Sequence, residues 1–286
     1  MITKLLRTFL QEDGSRRYQV WVPDFIADRE DYPHYEKDRF LSMEMNLHQG
    51  DVLFDIGTET GWQSAIYAGF VGAENMCLFE HVAELWPTIK QIWEANDLPR
   101  PKATYCGFVS NREAFSPHFW QGLWPVEACG SPLTDEATRS VIHSSTVGPE
   151  LMIDQFVKSS GVIPRALTID VEGAEFRVLS GAHETLLEHR PLVWVSLHPE
   201  LRMKTYHKSK QAVRDFIKDC GYERQYLGVD HEEHDFCYPK ELAGKVVLVD
   251  SPWMTHATRH ESFEEKILGW KDTEGMPYAK QWGSDD

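Results

Sequence analysis

Cysteine is scarce in this chain, with five residues among 286. The five lie far apart, no two of them form a CxxC pair, and their number is odd. This pattern is against a disulfide framework and against a zinc-ribbon site. It is typical of a protein from a reducing compartment, and we expect a cytoplasmic location.

Positive charge is also in short supply: 29 Lys and Arg residues stand against 45 Asp and Glu residues, for a formal net charge of -16. Nucleic-acid binding depends on clustered basic side chains that release counterions from phosphates. A nucleic-acid partner is therefore disfavoured, and uncharged or cationic small molecules fit better.

Long apolar runs are missing too. No stretch approaches the ~18 consecutive apolar residues that a membrane span needs. The start of the chain, residues 1–10, has only a broken apolar run, which is too short for a signal peptide. We expect no membrane partner, and a homo-oligomer remains open.

What the chain does contain is an alternation of short apolar runs with helical patterns. Residues 51–56 predict a buried strand, residues 62–71 a helix, and residues 76–80 a second strand, which together make a βαβ unit. Residues 166–171 and 192–197 predict further buried strands. The alternation indicates an α/β fold with a mostly parallel, doubly wound sheet and helices on both faces. Further elements are expected, among them a strand over 103–110, a helix over 149–159, a helix with Phe176, Leu179, Ala182 and Leu186 along one side, and a hairpin from 222–227 and 234–238.

The pattern divides the chain into one domain with decorated ends. We expect an extension over residues 1–50 packing on the core, a catalytic domain over 51–250, and a tail over 251–286. An insertion over about 111–146 mixes Pro, Gly, Ser and Trp. Its aromatic residues Phe119, Trp120 and Trp124 either cover an acceptor pocket or attach the insertion to the body.

The first chemically informative segment is the turn DIGTETG, residues 55–61, which follows a strand and precedes a helix. Gly57 and Gly61 let the backbone pass close to a ligand where a Cβ would obstruct it. The spacing is GxxxG, whereas a dinucleotide site needs GxGxxG. A site for S-adenosylmethionine (SAM) tolerates this spacing, because SAM has no pyrophosphate. The alternative is a turn that only links strand to helix.

Glu80 ends the second strand, where a carboxylate can accept hydrogen bonds from both hydroxyls of a ribose. A solvated carboxylate at a strand end is the simpler alternative. The glycine turn beside it favours the ligand role.

A second acidic segment, residues 170–175 (DVEGAE), follows a later buried strand. Ligands of α/β sheets bind at this end of the strands. Asp170, Glu172 and Glu175 could hold a substrate hydroxyl, steer a sulfonium or bind a divalent cation. Alternatively, Glu172 and above all Glu175 only favour the dipole of the following helix.

These segments resemble the two signature segments of FkbM-type SAM-dependent methyltransferases: residues 54–64, FDIGTETGWQS, and residues 168–182, TIDVEGAEFRVLSGA. The similarity runs from about Asp51 to Tyr238. It implies a Rossmann-like fold with a seven-stranded sheet, SAM as cofactor, and methyl transfer to a hydroxyl of a sugar or natural product. Asp55, Gly57, Glu59, Gly61, Glu80 and Asp170 are the expected cofactor-binding residues.

The chain departs from the family at two places. Thr58 and Glu59 stand where the family usually has Ala-Asn, so a carboxylate lies near the methionine end of SAM and either pairs with its ammonium or repels its carboxylate. The family often has a Glu-x-His pair at the end of the later strand. In this chain the His is present as His198, but Ser196 stands at the position of the Glu.

His198 follows a buried strand and is the candidate base that removes a proton from the acceptor hydroxyl. Asp170, on the expected neighbouring strand, would orient the imidazole and raise its basicity. Residues 230–235 (DHEEHD) could join these two in a divalent-metal site, although a solvated polar turn is the simpler reading. The metal is therefore left unassigned.

Three functions compete at this point. The first is a SAM-dependent O-methyltransferase acting on a sugar, glycan or other small molecule. The second is an NAD-type Rossmann enzyme, which the glycine spacing disfavours. The third is a methyltransferase-like domain without activity that serves as a structural or interaction module, with Glu59 marking a lost cofactor site.

Overall fold

The chain was analysed as a computed structural model that describes residues 2–10, 16–30, 36–112, 119–141, 148–206, 208–229 and 232–250. The predicted tail over 251–286 lies outside these residues, as do parts of the predicted insertion. Among the described residues, no helix is both long and apolar enough to cross a membrane.

Twelve strands and ten α-helices are described. The strands are β1 (Ile2–Leu10), β2 (Arg16–Pro23), β3 (Leu53–Ile56), β4 (Met76–Glu80), β5 (Ala103–Cys106), β6 (Phe108–Val109), β7 (Trp120–Gln121), β8 (Glu150–Leu151), β9 (Ala166–Ile169), β10 (Leu192–Leu197), β11 (Tyr222–Val229) and β12 (Glu233–Pro239). The helices are α1 (Asp24–Glu30), α2 (Lys37–Asn46), α3 (Trp62–Val71), α4 (Trp86–Ala95), α5 (Asp135–Val141), α6 (Ile153–Ser160), α7 (Glu175–Ser180), α8 (His183–Glu188), α9 (Glu200–Thr205) and α10 (Lys210–Asp219).

The main sheet has the order β11-β12-β10-β9-β3-β4-β5-β7. Its five central strands, β10 to β5 in that order, are parallel, and β11, β12 and β7 run antiparallel to their neighbours. The α/β prediction is confirmed, and the predicted closing hairpin is β11 and β12. The expected count of seven strands is wrong for the described residues, because β7 from the predicted insertion adds an eighth strand at the β5 edge.

Side chains of the central strands alternate between two apolar layers, as the period of two in a strand requires. Leu53 of β3 belongs to the layer that contains α2, α3 and α4, whereas the next residue, Phe54, belongs to the layer that contains α6, α7, α8 and α10. Both are fully buried. A sheet covered on both faces explains why its strands are continuous apolar runs in the sequence.

The N-terminal residues belong to the first of these layers. Val20 and Val22 of β2 and Phe40 and Met43 of α2 are buried there with residues of β3 and β4. The segment thus contributes to one of the two apolar layers of the core.

Three predicted elements divide in the structure. The expected strand over 103–110 is interrupted at Gly107, and the expected helix over 149–159 begins only at Ile153, after the short strand β8. The expected helix through Phe176 and Leu186 is two helices, α7 and α8. At the break, a Cβ on Gly181 would lie 1.9 Å from the backbone oxygen of Ser110. Local periodicity contains no sign of this long-range approach.

The aromatic residues of the insertion attach it to the body. The ring of Phe119 packs edge-on against Phe156 at 4.7 Å between centroids, and Trp124 packs edge-on against Trp93 at 6.1 Å. For these two rings the structure shows attachment to the body. Trp120 lies in β7.

Candidate active site

The two informative turns leave the sheet side by side. Strands β3 and β9 are parallel neighbours in which Ile56 is paired with Ile169. The ladder continues one step further, because the amide of Asp170 donates to the carbonyl of Ile56 at 2.9 Å. The glycine turn after β3 and the acidic turn after β9 therefore meet at one edge of the sheet.

This approach explains Gly57. Its φ is 91°, and a Cβ at this position would lie only 1.7 Å from the backbone oxygen of Asp170. Gly61 has a φ of 86° and directly precedes α3, and a Cβ at this position would lie 3.0 Å from the side chain of Ile89. The backbone of Asp170 thus requires glycine at position 57, and the positive φ together with the close contact of Ile89 favours glycine at position 61. The contact of these two glycines with a cofactor stays a prediction.

Asp55 braces the turn against the following helix. Its carboxylate is 5% exposed, accepts a short hydrogen bond from the Ser64 hydroxyl of α3, and lies 3.4 Å from the Thr58 hydroxyl. Burial raises the pKa of Asp55 to about 6, although the bond from Ser64 and the charge of Arg39 oppose this shift. The Asp55 side chain thus holds the glycine turn against the first turn of α3.

Glu80 ties the glycine turn to the end of β4. One carboxylate oxygen accepts from the amide of Glu59 at 2.8 Å, and the other accepts from the amide of Val82 at 2.8 Å and lies 3.1 Å from the ring of His81. Glu59 itself has a φ of 50°, in the left-handed region. Glu80 is 4% exposed, so the alternative of a solvated strand-end residue does not describe it.

Four carboxylates surround the ring of His198. Glu175 lies 2.7 Å from Nδ1, and three others face Nε2: Glu232 at 2.8 Å, Glu172 at 3.1 Å and Asp170 at 3.7 Å. His198 and Glu175 are buried, and Glu232 is 2% exposed. The predicted pair of Asp170 and His198 is therefore present as part of a larger cluster.

The surrounding charges govern the protonation of this cluster. Burial lowers the pKa of His198, but the charge of Glu232 and the hydrogen bond to Glu175 outweigh it, and the pKa lies well above 6.5. A proton that arrives from a substrate would therefore be shared between the ring and the carboxylates around it. Burial and the charge of Glu232 raise the pKa of Asp170, although 23% of its side-chain surface is exposed.

Sequence reasoning missed Arg39, which reaches this cluster from α2. Its buried guanidinium donates to Glu36 at 2.8 Å, to Ser196 at 3.0 Å and to Thr168 at 2.5 Å, and lies 3.5 Å from Asp170. Nothing in its local sequence indicates this role, because its partners other than Glu36 lie on β9, on β10 and directly after β9. Arg39 supplies a positive charge next to the carboxylates of Glu36 and Asp170.

The structure also locates the remaining acidic residues of the two segments. Glu175 does begin α7, as the dipole interpretation expected, but it is fully buried and accepts from the Gly173 amide at 2.9 Å as well as facing His198. Of residues 230–235, Glu232 joins the cluster. His234 instead lies 3.1 Å from Ser196, and Asp235 pairs with Arg214 and Arg224. Asp230 and His231 lie outside the described residues.

The sequence of this edge matches a known family. The model described as the methyltransferase FkbM domain matches residues 55–224, which is more than half of the chain. The chain belongs to the FkbM methyltransferase family. It is a methyltransferase, with SAM as its cofactor.

Solved structures of low similarity accompany this match. An FkbM methyltransferase from Methylobacillus flagellatus KT has 16% identity and a TM-score of 0.40, and the alignment covers 66% of this chain and 43% of that one. A SAM-dependent O-methyltransferase from Thermotoga maritima has 13% identity and a TM-score of 0.39, with 83% and 78% covered. A precorrin-6y C5,15-methyltransferase from Geobacter metallireducens GS-15 has 10% identity and a TM-score of 0.43, with 72% and 89% covered. No curated protein matches the chain.

The two departures from the FkbM pattern have structural counterparts. Ser196, at the position where the family often has Glu, accepts from Arg39 and contacts His234. A carboxylate for His198 comes instead from Glu232, just before β12. At the other departure, the backbone amide of Glu59 serves Glu80, and this contact is independent of the side chain at position 59.

Proposed function

We propose that this FkbM methyltransferase transfers the methyl group of SAM to a hydroxyl of a sugar, glycan or other small-molecule acceptor. The observation that carries the proposal is the meeting of the glycine turn and the His198 cluster at one edge of the sheet. A donor bound against the first would present its methyl group toward the second. The chemistry that SAM supplies is an electrophilic methyl group on a sulfonium.

The residues at the ends of β3 and β4 fit this donor. Each oxygen of Glu80 accepts one backbone amide, and an ionised carboxylate has about four acceptor positions. One oxygen also lies 3.1 Å from the ring of His81, so acceptor capacity remains mainly on the oxygen that faces Glu59, where a ribose hydroxyl could donate. We propose six residues for the cofactor side of the cleft: Asp55, Gly57, Glu59, Gly61, Glu80 and Asp170.

The acceptor side needs alignment and a place for one proton. Displacement at a sulfonium runs in line, so the protein mainly positions the hydroxyl and accepts its proton. We assign this task to Asp170 and His198 within the carboxylate cluster. Asp170 is the member through which an acceptor reaches the cluster, because 23% of its side chain is exposed compared with 5% for His198.

Charge supports a neutral or cationic acceptor. The net charge is -16, and the proposed acceptor side is lined with carboxylates, which accept hydrogen bonds from hydroxyls and repel phosphates. A nucleic acid is therefore a poor candidate. Unpaired cysteines support a cytoplasmic location for the reaction.

The cofactor side is tested by titrating the chain with SAM in a calorimeter. Glu80→Gln should weaken binding at least tenfold, since one charged acceptor is lost. Asp154→Asn is a matched control, because Asp154 of α6 also accepts two backbone amides, those of Glu184 and Thr185 in α8, and belongs to neither turn of the proposed site. If the parent chain binds no SAM, the chain is the inactive, module-like alternative.

The reaction is tested by incubating the chain with methyl-labelled SAM and a mixture of hydroxylated small molecules and glycans. Label on an ether oxygen supports the proposal, and label on nitrogen or carbon contradicts it. His198→Ala should abolish turnover while SAM affinity is retained. Turnover that survives in this variant would place the proton acceptor elsewhere.

A further inference from the structure

Three strands that are neighbours in the sheet bring potential metal ligands to one point. Asp170 follows β9, His198 follows β10, and Glu232 precedes β12. One ligand atom from each of these residues lies within 4.8 Å of the other two. We propose that Asp170, His198 and Glu232 bind a divalent cation of the Mg²⁺ and Mn²⁺ class.

The ring of His198 is oriented as a metal ligand requires. Metal-binding histidines usually donate their second ring N–H to a carboxylate or carbonyl, which holds the other nitrogen toward the ion. Here Glu175, fully buried and held by the Gly173 amide, takes Nδ1 at 2.7 Å. Nε2 is thereby directed toward Asp170 and Glu232.

The spacing of the ligand atoms needs little adjustment. Ligands at right angles on an ion with bonds of about 2.1 Å lie about 3 Å from each other. Nε2 lies 2.8 Å from the Glu232 carboxylate and 3.7 Å from the Asp170 carboxylate. Asp170, the most exposed of the three, would have to move closer to Nε2 to complete one face of a coordination shell, and all three ligand atoms already lie within 4.8 Å of one another.

Charge favours an ion at this point. Four carboxylates lie within 3.7 Å of one imidazole ring, which carries at most one positive charge. Arg202 offsets Glu172, and Arg39 is shared between Glu36 and Asp170. Burying like charges together is costly. A divalent cation between these side chains would lower that cost.

The donor set indicates which ion. Two carboxylates and one imidazole provide mostly hard oxygen donors, which suit Mg²⁺ and Mn²⁺ better than thiolate-binding metals. Three protein ligands leave positions open in a six-coordinate shell. An acceptor hydroxyl bound there would have a lowered pKa. This last role rests on the proposed O-methylation, whereas the ion site itself does not.

The site is tested with MnCl₂ and the chain after chelation and removal of the chelator. The electron paramagnetic resonance signal of free Mn²⁺ reports binding, and a rise in melting temperature reports it independently. One ion should bind per chain. Asp170→Asn and Glu232→Gln should each weaken binding at least tenfold.

Glu233→Gln is the matched control. Glu233 is the chain neighbour of Glu232, but it pairs with Lys210 and Arg214, so its loss should leave Mn²⁺ affinity within twofold. Failure of the parent chain to bind Mn²⁺, or equal affinity in the parent and in Glu232→Gln, overturns the site. Since neither SAM nor an acceptor is present, these results are independent of the methylation test.

Discussion

Alanine substitutions at Gly57 and at a matched glycine, Gly50, separate two costs to stability: the strain of a positive φ and the collision of the new Cβ with a neighbouring strand. Gly50 has a φ of 95° and Gly57 a φ of 91°. A Cβ on Gly50 meets nothing within 4 Å, whereas one on Gly57 would lie 1.7 Å from the Asp170 oxygen. Gly50→Ala therefore reports the cost of the positive φ alone, and Gly57→Ala reports that cost plus the collision.

The magnitudes follow from these contacts. A left-handed conformation costs an alanine about 1–2 kcal/mol, and the reduced entropy of the unfolded chain returns about 0.4–1 kcal/mol. Gly50→Ala should therefore lose about 1 kcal/mol. To relieve the collision at Gly57, β3 and β9 must separate by more than 1 Å at this point. Overpacking costs about 1–3 kcal/mol, and weakening the Asp170 amide bond adds about 1 kcal/mol. Gly57→Ala should lose about 3 kcal/mol more than Gly50→Ala.

The measurement is urea unfolding followed by tryptophan fluorescence, with midpoints compared at equal slope. SAM titration of the folded variants should also show weaker binding for Gly57→Ala alone. If the two variants agree within about 1 kcal/mol, the edge between β3 and β9 is looser than described, and our explanation of Gly57 is refuted.

Two further predictions concern buried charges. The pKa of Asp55 is about 6 in the fold and 3.8 in the unfolded chain, so protonation of Asp55 stabilises the fold, and this stabilisation is lost as pH rises through 6. The free energy of unfolding of Asp55→Asn, measured with urea, should therefore rise by about 2–3 kcal/mol relative to that of the parent between about pH 4 and pH 8. A difference between variant and parent that does not depend on pH would contradict this prediction. Arg39→Met should lose about 3–5 kcal/mol of unfolding free energy because Glu36 and Asp170 lose their cation. The double variant with Glu36→Gln should recover part of that loss, and an undiminished loss would show that packing of the arginine stem dominates.

The fold was largely predictable because its central strands are buried on both faces. β3, β4, β9 and β10 appear in the sequence as apolar runs with turn residues after them. The predicted elements that the structure splits into two are interrupted where distant parts of the chain come into contact. Gly181 meets the backbone at Ser110, and no local pattern shows that approach. The eighth strand, β7, has only two residues, too few for a periodic signal.

The site was predictable where its residues follow strands. Asp170 and His198 end neighbouring parallel strands, so their proximity follows from strand order. Glu232 precedes an antiparallel strand, and its proximity depends on the register of β12 against β10. Arg39 comes from a helix more than 100 residues away in sequence, and only tertiary packing brings it to the cluster.

The reach of Arg39 sets a limit on how the enzyme can be cut and recombined. A fragment or chimaera that begins at the first strand of the sheet would contain the whole family match and both signature turns. It would nevertheless lack the Arg39 guanidinium that contacts the ends of β9 and β10, and the α2 residues that pack in the same apolar layer as β3. Transplanting this active edge into another scaffold therefore means carrying the preceding helix with it.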